Sequence, residues 1–162
     1  MRIIRARPED AFIVAALSLQ AAIAIDGARE EGYLDRAAEH WLRHHEQLPA
    51  WFAEHEGQHA GYLQAVLPPE TTWPGERPGT RGRLWVQALH VHEAHRRQGV
   101  ALALTAACES WATYAGVGMI RLRCEPGAEG FYDAAGYAPA VEVREKRLRP
   151  LRGSRGHERV TD

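Results

Sequence analysis

The sequence predicts an α+β domain built around a mixed β-sheet. Strand-like and helix-like segments alternate in the order β-α-α-β-β-β-α-β-α-β, and only one helix clearly connects two strong strands. The chain has 162 residues, of which 45% are hydrophobic and 25% charged, as in one globular domain with one core. No internal repeat or long linker divides the chain, so we expect residues 1–147 to form a single domain.

The first third of the chain predicts one strand followed by two helices. Apolar and polar residues alternate over Arg2–Arg7, as in a strand. Pro8 suits the first turn of a helix, which should continue to about Ile25, with Gly27 just beyond its end. A second helix is predicted over Leu34–Glu46 because its apolar residues recur at helical spacing.

The middle of the chain predicts three strands. Ala50–Glu54 and Ala60–Leu67 flank a possible hairpin turn at Glu56–Gln58. Residues 68–82 are rich in proline and glycine, which predicts a loop. The strongest strand pattern follows over Arg83–Val91.

The last third predicts a helix over Gly99–Ala115, a strand over Met119–Cys124, a short helix over Ala128–Ala135 and a final strand over Ala140–Arg147. Residues 148–162 form a basic tail, which we expect to be flexible and solvated.

Composition narrows the function classes. A net charge of -1 and a pI near 6.8 argue against nucleic acid as a partner. Cys108 and Cys124 form no CxxC pair, which favours a reducing compartment over a disulfide scaffold or zinc site. The basic and then apolar character of residues 1–24 resembles a secretory signal, but Glu9 and Asp10 interrupt it. We therefore expect a buried helix in a cytoplasmic protein without a membrane partner.

The most informative segment is Leu89–Ala101, in which a strand is followed by a basic turn and the start of a helix. Free N–H groups at such a helix start favour an anion. Gly99 allows close backbone approach, Ala101 is small, and Arg96 and Arg97 add positive charge. The pattern predicts a pyrophosphate site, while the absence of GK[ST] and GxGxxG motifs argues against ATP, GTP and dinucleotides.

Two motifs resemble those of the GNAT acetyltransferase superfamily. Arg96–Ala101 is similar to its [Q/R]-x-x-G-x-[G/A] motif, after a strand that ends in Leu-x-Val. Cys124–Tyr137 is similar to its N-x-x-A-x-x-F-Y-x-x-x-G-[F/Y] segment, with Glu125 where asparagine is commonest. The element order is also that of the family, so the resemblance covers about residues 1–147.

The resemblance implies a sheet whose fourth and fifth strands splay apart to admit acetyl-CoA as cosubstrate. Its pantetheine arm would bond to strand backbone near Leu89 and Val91, and its pyrophosphate would bind N–H groups at the helix start. The implied coenzyme-binding residues are Leu89, His90, Val91, Arg96, Arg97, Gln98, Gly99, Val100, Ala101 and Leu102.

The resemblance also implies direct transfer of an acetyl group to a primary amine. A backbone N–H near Val91 would polarise the thioester carbonyl, and Tyr132 would protonate the leaving thiolate. Many relatives carry a Glu or His as general base on the fourth strand, where this chain has Trp85 and Gln87. Strict alternation places His90 and His92 on the opposite face of that strand.

The general base therefore stays open, with Glu56, His59 and a water chain as candidates. The missing strand base also supports an alternative function, a coenzyme-A-binding module with little transferase activity. His90, His92 and His95, or His40 and His44, could suggest a metal site, but neither group has an HExxH pattern or an assured third ligand. We expect no metal.

The acceptor is the least determined part. Trp85, Gln87 and Glu30 are the predicted acceptor-binding residues, with Glu30 part of an acidic stretch over residues 26–56 that would attract a cationic amine. The acceptor could be a small molecule or a peptide or protein amine. A homodimer is an expectation from the resemblance.

Overall fold

Residues 1–27, 29–68 and 81–140 are described in a computed structural model of the chain. The strands are β1 (Arg2–Arg5), β2 (Ala50–His55), β3 (Gln58–Val66), β4 (Arg81–Val91) and β5 (Val117–Leu122). The helices are α1 (Ala11–Asp26), α2 (Tyr33–His44), α3 (Val100–Tyr114) and α4 (Glu129–Ala134). The predicted last strand, apart from Ala140, and the tail lie outside the described residues.

One sheet contains the strands in the order β1-β2-β3-β4-β5. All neighbouring pairs are antiparallel except β4 and β5, which are parallel. Parallel neighbours need a crossover connection, and α3 provides it. The mixed α+β class predicted from the element order is therefore confirmed.

Two apolar clusters cover the two faces of the sheet. On one face, α3 packs through Val100, Leu104 and Cys108 against inward-facing residues of the strands. On the other face, α1 and α2 pack through residues such as Val14 and Trp41. We call these the α3 face and the α1 face of the sheet.

Helix α1 is apolar on nearly all sides. The segment Pro8–Ile25 is long and apolar enough to cross a membrane by length and composition alone. Core helices of soluble proteins meet the same criterion, and Val14, Ala15 and Leu17 are buried in the cluster on the α1 face. Gly27 ends the helix in the left-handed conformation, as its position in the sequence predicted.

The predicted hairpin between β2 and β3 is confirmed. Glu56 and Gly57 have φ values of 51° and 76°. Two consecutive positive φ angles are typical of a two-residue type I′ turn.

Gly61 of β3 lies where α3 approaches the sheet most closely. A Cβ atom there would stand 2.8 Å from Val100 Cγ1 and 3.0 Å from the carbonyl oxygen of His90. The absence of a side chain at Gly61 therefore allows the start of α3 to approach β3.

Replacing Gly61 with alanine is expected to destabilise the fold by about 1–3 kcal/mol, because the added methyl overpacks the contact with α3. Urea denaturation of Gly61→Ala measures this loss. Gly82→Ala is the matched control, since a Cβ on Gly82 in β4 would meet nothing within 4 Å. Equal stability changes in both variants would contradict the close-approach argument.

The chain divides into a unit over Met1–Pro126 and a second over Gly127–Asp162. The described part of the second unit contains α4. Within this unit the rings of Phe131 and Tyr132 lie 5.0 Å apart, and those of Tyr132 and Tyr137 lie 5.6 Å apart.

Candidate functional site

β4 separates from β5 halfway along its length. The parallel pairing begins at Arg81 and Val117 and ends at Val86 and Leu122, although β4 continues to Val91. Among the described residues, the segment Gln87–Val91 therefore has no strand partner on the β5 side. The splayed strands that the resemblance implied are confirmed.

The peptide groups of Leu89 and Val91 point to this open side. Just after β4, the N–H of His92 donates a hydrogen bond to the carbonyl of Ala60, 2.9 Å away. Successive residues of an antiparallel strand present their peptide groups to opposite sides. Leu89 and Val91 thus face away from β3, whereas the peptide group of His90 faces β3. This geometry favours backbone contacts from Leu89 and Val91, and not from His90.

The turn after β4 folds back onto the open edge. Arg96 donates through Nε to the carbonyl of Val91 at 3.3 Å, and the Gln98 amide donates to the carbonyl of Ala94 at 3.0 Å. Arg97 and Gly99 both adopt left-handed backbone, with φ values of 61° and 80°. These contacts shape the turn that leads into α3.

The first turn of α3 has free hydrogen-bond donors. The first bond onto the helix start runs from the N–H of Ala103 to the carbonyl of Gly99, 3.0 Å away. The N–H groups of Val100, Ala101 and Leu102 precede that bond and have no carbonyl one helical turn back. Such a terminus binds phosphate through its N–H groups and the helix dipole.

Side chains leave this terminus accessible. Arg96, Arg97 and Gln98 are exposed, whereas Val100 points into the core. A Cβ on Gly99 would meet nothing within 4 Å, so the backbone there borders open space. The residues predicted to bind a pyrophosphate therefore lie together around one open turn, and their arrangement fits that group.

A β-bulge changes the faces of β4. Ala88 pairs with Gln64, but the next residue of β3, Ala65, pairs with Val86, which leaves Gln87 as an extra residue. Val86 before the bulge and Leu89 after it both pack in the cluster on the α3 face.

The bulge places His90 on the α1 face. Trp85 and His90 pair with Val66 and Tyr62, which are four residues apart on β3 and thus share one face. The expectation that His90 lies on the face opposite Trp85 is therefore wrong. Strict alternation would put Val86 and Leu89 on opposite faces of the sheet. Because Gln87 is an extra residue, both lie on the α3 face, and His90 lies on the same face as Trp85.

The His90 side chain is half-buried. Burial lowers the pKa of its imidazole below the ordinary value, and electrostatic interactions with Arg96 and His92 lower it further. The ring is consequently uncharged at neutral pH.

A polar network that the sequence pattern did not predict lies next to His90 on the α1 face. Ser18 Oγ of α1 lies 2.8 Å from the Tyr62 hydroxyl, which also donates to the Gln64 side-chain carbonyl. Burial raises the pKa of Tyr62 well above its ordinary value, so the phenol stays neutral. Tyr62 and Gln64 are two residues apart on β3 and therefore share one face of the sheet. This spacing was the sequence signal that could have predicted the network.

The predicted acceptor residues have different surroundings. Trp85 is 40% exposed on the α1 face, and Gln87 is exposed at the bulge. Glu30 forms an ion pair with Arg36, which also donates to the carbonyl of Glu31 at 3.1 Å. Glu30 is therefore already paired with a cation of the chain.

Tyr132 lies in α4, in the second unit. Its side chain is partly buried between the rings of Phe131 and Tyr137, and the N–H of Tyr137 donates to its carbonyl at 2.9 Å. In the part of the chain that the structure describes, no group of three His, Cys, Asp or Glu residues could hold a metal ion.

Comparison with known proteins gives a family match over most of the chain. Residues 14–137 match the model of the acetyltransferase (GNAT) family. No curated protein matches the chain significantly.

Many solved structures share the fold. A ribosomal-protein-alanine N-acetyltransferase from Brucella melitensis biovar Abortus 2308 is 24% identical with a TM-score of 0.66, over 92% of this chain and 99% of that one. The aminoglycoside acetyltransferase AAC(6')-Iy, in complex with a bisubstrate analogue, is 19% identical with a TM-score of 0.70, over 91% of this chain and 97% of that one. A Trypanosoma brucei acetyltransferase is 17% identical with a TM-score of 0.70, over 91% of this chain and 98% of that one.

Proposed function

Because this chain belongs to the acetyltransferase (GNAT) family, we propose that it transfers an acetyl group from acetyl-CoA directly to a primary amine. The observation that carries the proposal is the open edge of β4. Residues Gln87–Val91 extend beyond the pairing with β5 and lead into the free N–H groups of α3. An extended amide-containing arm fits the open edge of β4, and a pyrophosphate fits the free N–H groups at the start of α3.

The chain supplies backbone and side-chain groups for the transfer. The N–H of Val91, on the open side of β4, is suited to polarise a thioester carbonyl. The phenol of Tyr132 is our proposed proton donor to the leaving thiolate, on the strength of the Phe131-Tyr132 motif. Acetyl-CoA, as substrate, contributes the activated acetyl group.

The acceptor is proposed to be an amine on a small molecule, a peptide or a protein. Two structural neighbours bear the names of a ribosomal-protein-alanine and an aminoglycoside N-acetyltransferase. The exposed ring of Trp85 is a candidate apolar contact for the acceptor. Within the acidic stretch, Glu30, Glu39 and Glu54 each pair with an arginine, which weakens the electrostatic argument for a strongly cationic acceptor.

A cytoplasmic location and a homodimer complete the proposal. The location is supported by the low cysteine count, with Cys108 and Cys124 forming no CxxC pair, and the dimer only by family resemblance. Fractionation of cells and analytical ultracentrifugation would test these two points.

Thiol release from acetyl-CoA tests the function. Purified chain is incubated with acetyl-CoA and a panel of amines, peptides and aminoglycosides, and free thiol is followed with a chromogenic reagent. Because Cys124 is exposed and will itself react, each rate is corrected with a reaction that lacks acceptor. Acceptor-dependent release, with the acetylated product seen by mass spectrometry, is expected. Tight acetyl-CoA binding without transfer to any acceptor would favour a coenzyme-A-binding module instead.

A further inference from the structure

The α1 face of β4 presents one side chain that can accept a proton next to the open edge. His90 lies between Leu89 and Val91, the residues whose peptide groups face the open side of the strand. The bulge at Gln87 directs its ring to the same face as the exposed Trp85. An acceptor that contacts Trp85 and approaches an acetyl group at Val91 would therefore pass His90.

The surroundings of His90 keep it in the form that a base needs. Arg96 and His92, from the turn after β4, disfavour a charged ring. From β3, the neighbouring Tyr62 is a neutral phenol held by Ser18 and Gln64. α1, which also packs on this face, carries no ionisable residue from Ala11 to Ile25.

Resting on the proposed function, we infer that His90 is the general base that deprotonates the acceptor ammonium group. The other candidates fit less well. Trp85 and Gln87 have no basic atom at neutral pH. Glu56 is an exposed turn residue, and the ring of His59 packs edge-on against Phe52 at 5.2 Å.

Protons leave the acceptor nitrogen for His90 and for the leaving sulfur. The acceptor ammonium gives one proton to the imidazole of His90 and becomes a neutral amine. The amine nitrogen forms a bond to the acetyl carbonyl carbon as the carbon–sulfur bond breaks. The nitrogen loses its second proton, the sulfur gains one to become the free thiol, and His90 releases its proton to solvent. One proton is released per acetyl group transferred.

His90→Gln tests the inference, because glutamine retains polarity but cannot take up a proton. At pH 7 the variant should lose about 10²-fold or more in kcat, while its acetyl-CoA dissociation constant stays within about twofold of the wild type. The deficit should shrink as the pH is raised above the pKa of the acceptor amine, because the amine is then already neutral. His40→Gln, on the exposed side of α2, is the matched control and should retain the wild-type rate.

The wild-type pH profile gives a second readout. Since the pKa of His90 is lowered, kcat/KM should decline only as the pH falls below the ordinary histidine value of about 6.5. That decline should be absent from the residual activity of His90→Gln. If the variant fails to bind acetyl-CoA, the wild-type profile alone decides, and a profile that is flat to pH 5 would overturn the inference.

The outcomes separate the two proposals. An active wild type with an unimpaired His90→Gln, or with a loss that is equal at every pH, would overturn the role of His90 and leave the proposed function standing. A wild type that transfers acetyl to no acceptor would overturn the proposed function, and the role of His90 with it.

Discussion

Tyr132→Phe is expected to lower kcat well over tenfold and to leave the acetyl-CoA dissociation constant near the wild-type value. Phenylalanine keeps the ring that packs between Phe131 and Tyr137. It removes only the hydroxyl proton that we propose for the leaving thiolate. General acid catalysis typically contributes about 10²–10⁴-fold, so steady-state thiol release should show the loss clearly.

Tyr137→Phe is the matched control for Tyr132. It removes a hydroxyl from a ring 5.6 Å away in the same unit and should leave kcat near the wild-type value. Equal effects of the two substitutions would point to packing of the unit. An unchanged kcat in Tyr132→Phe would remove this residue from the mechanism.

Gly99→Ala is expected to weaken acetyl-CoA binding about tenfold, which corresponds to about 1.4 kcal/mol. The new methyl would occupy the open space beside the free N–H groups at the start of α3. Its left-handed φ of 80° adds backbone strain of about 1 kcal/mol. Isothermal titration with acetyl-CoA measures the affinity, and thermal unfolding without ligand measures the strain.

Gly57→Ala separates those two effects. Gly57 also has a left-handed φ, 76°, and a Cβ there would likewise meet nothing within 4 Å. Both variants should therefore lose similar stability, but only Gly99→Ala should lose affinity. If acetyl-CoA binding is equally weak in both, or normal in both, the phosphate site at the start of α3 is wrongly assigned.

The bulge in β4 has the largest consequence for the chemistry of the site. A regular strand would place His90 on the α3 face, which is filled by apolar residues around Val100 and Leu104. The extra residue Gln87 instead exposes its own side chain and brings His90 onto the face of Trp85. One unpaired residue thus moves a potential base to the α1 face.

Local features of the chain were predictable. The left-handed end of α1 at Gly27, the two-residue turn at Glu56 and Gly57, and the glycine before α3 follow from backbone preferences that act within a few residues. The strand–turn–helix segment around Arg96 was also recognisable because its strand, its turn and its helix start are specified by residues close in sequence. The element order and the mixed sheet followed from these patterns and from hydrophobic periodicity.

The fold class, the order of the described elements and the open turn before α3 were therefore readable from the order of the residues alone. The face that His90 occupies, the residue that approaches Gly61 and the partners of Tyr62 and Glu30 emerge from the packing of the folded chain. These features depend on strand register and on side-chain contacts that form only when the elements pack together. A bulge carries no strong local pattern, because it arises from how β4 fits β3 and not from the residues of β4 alone.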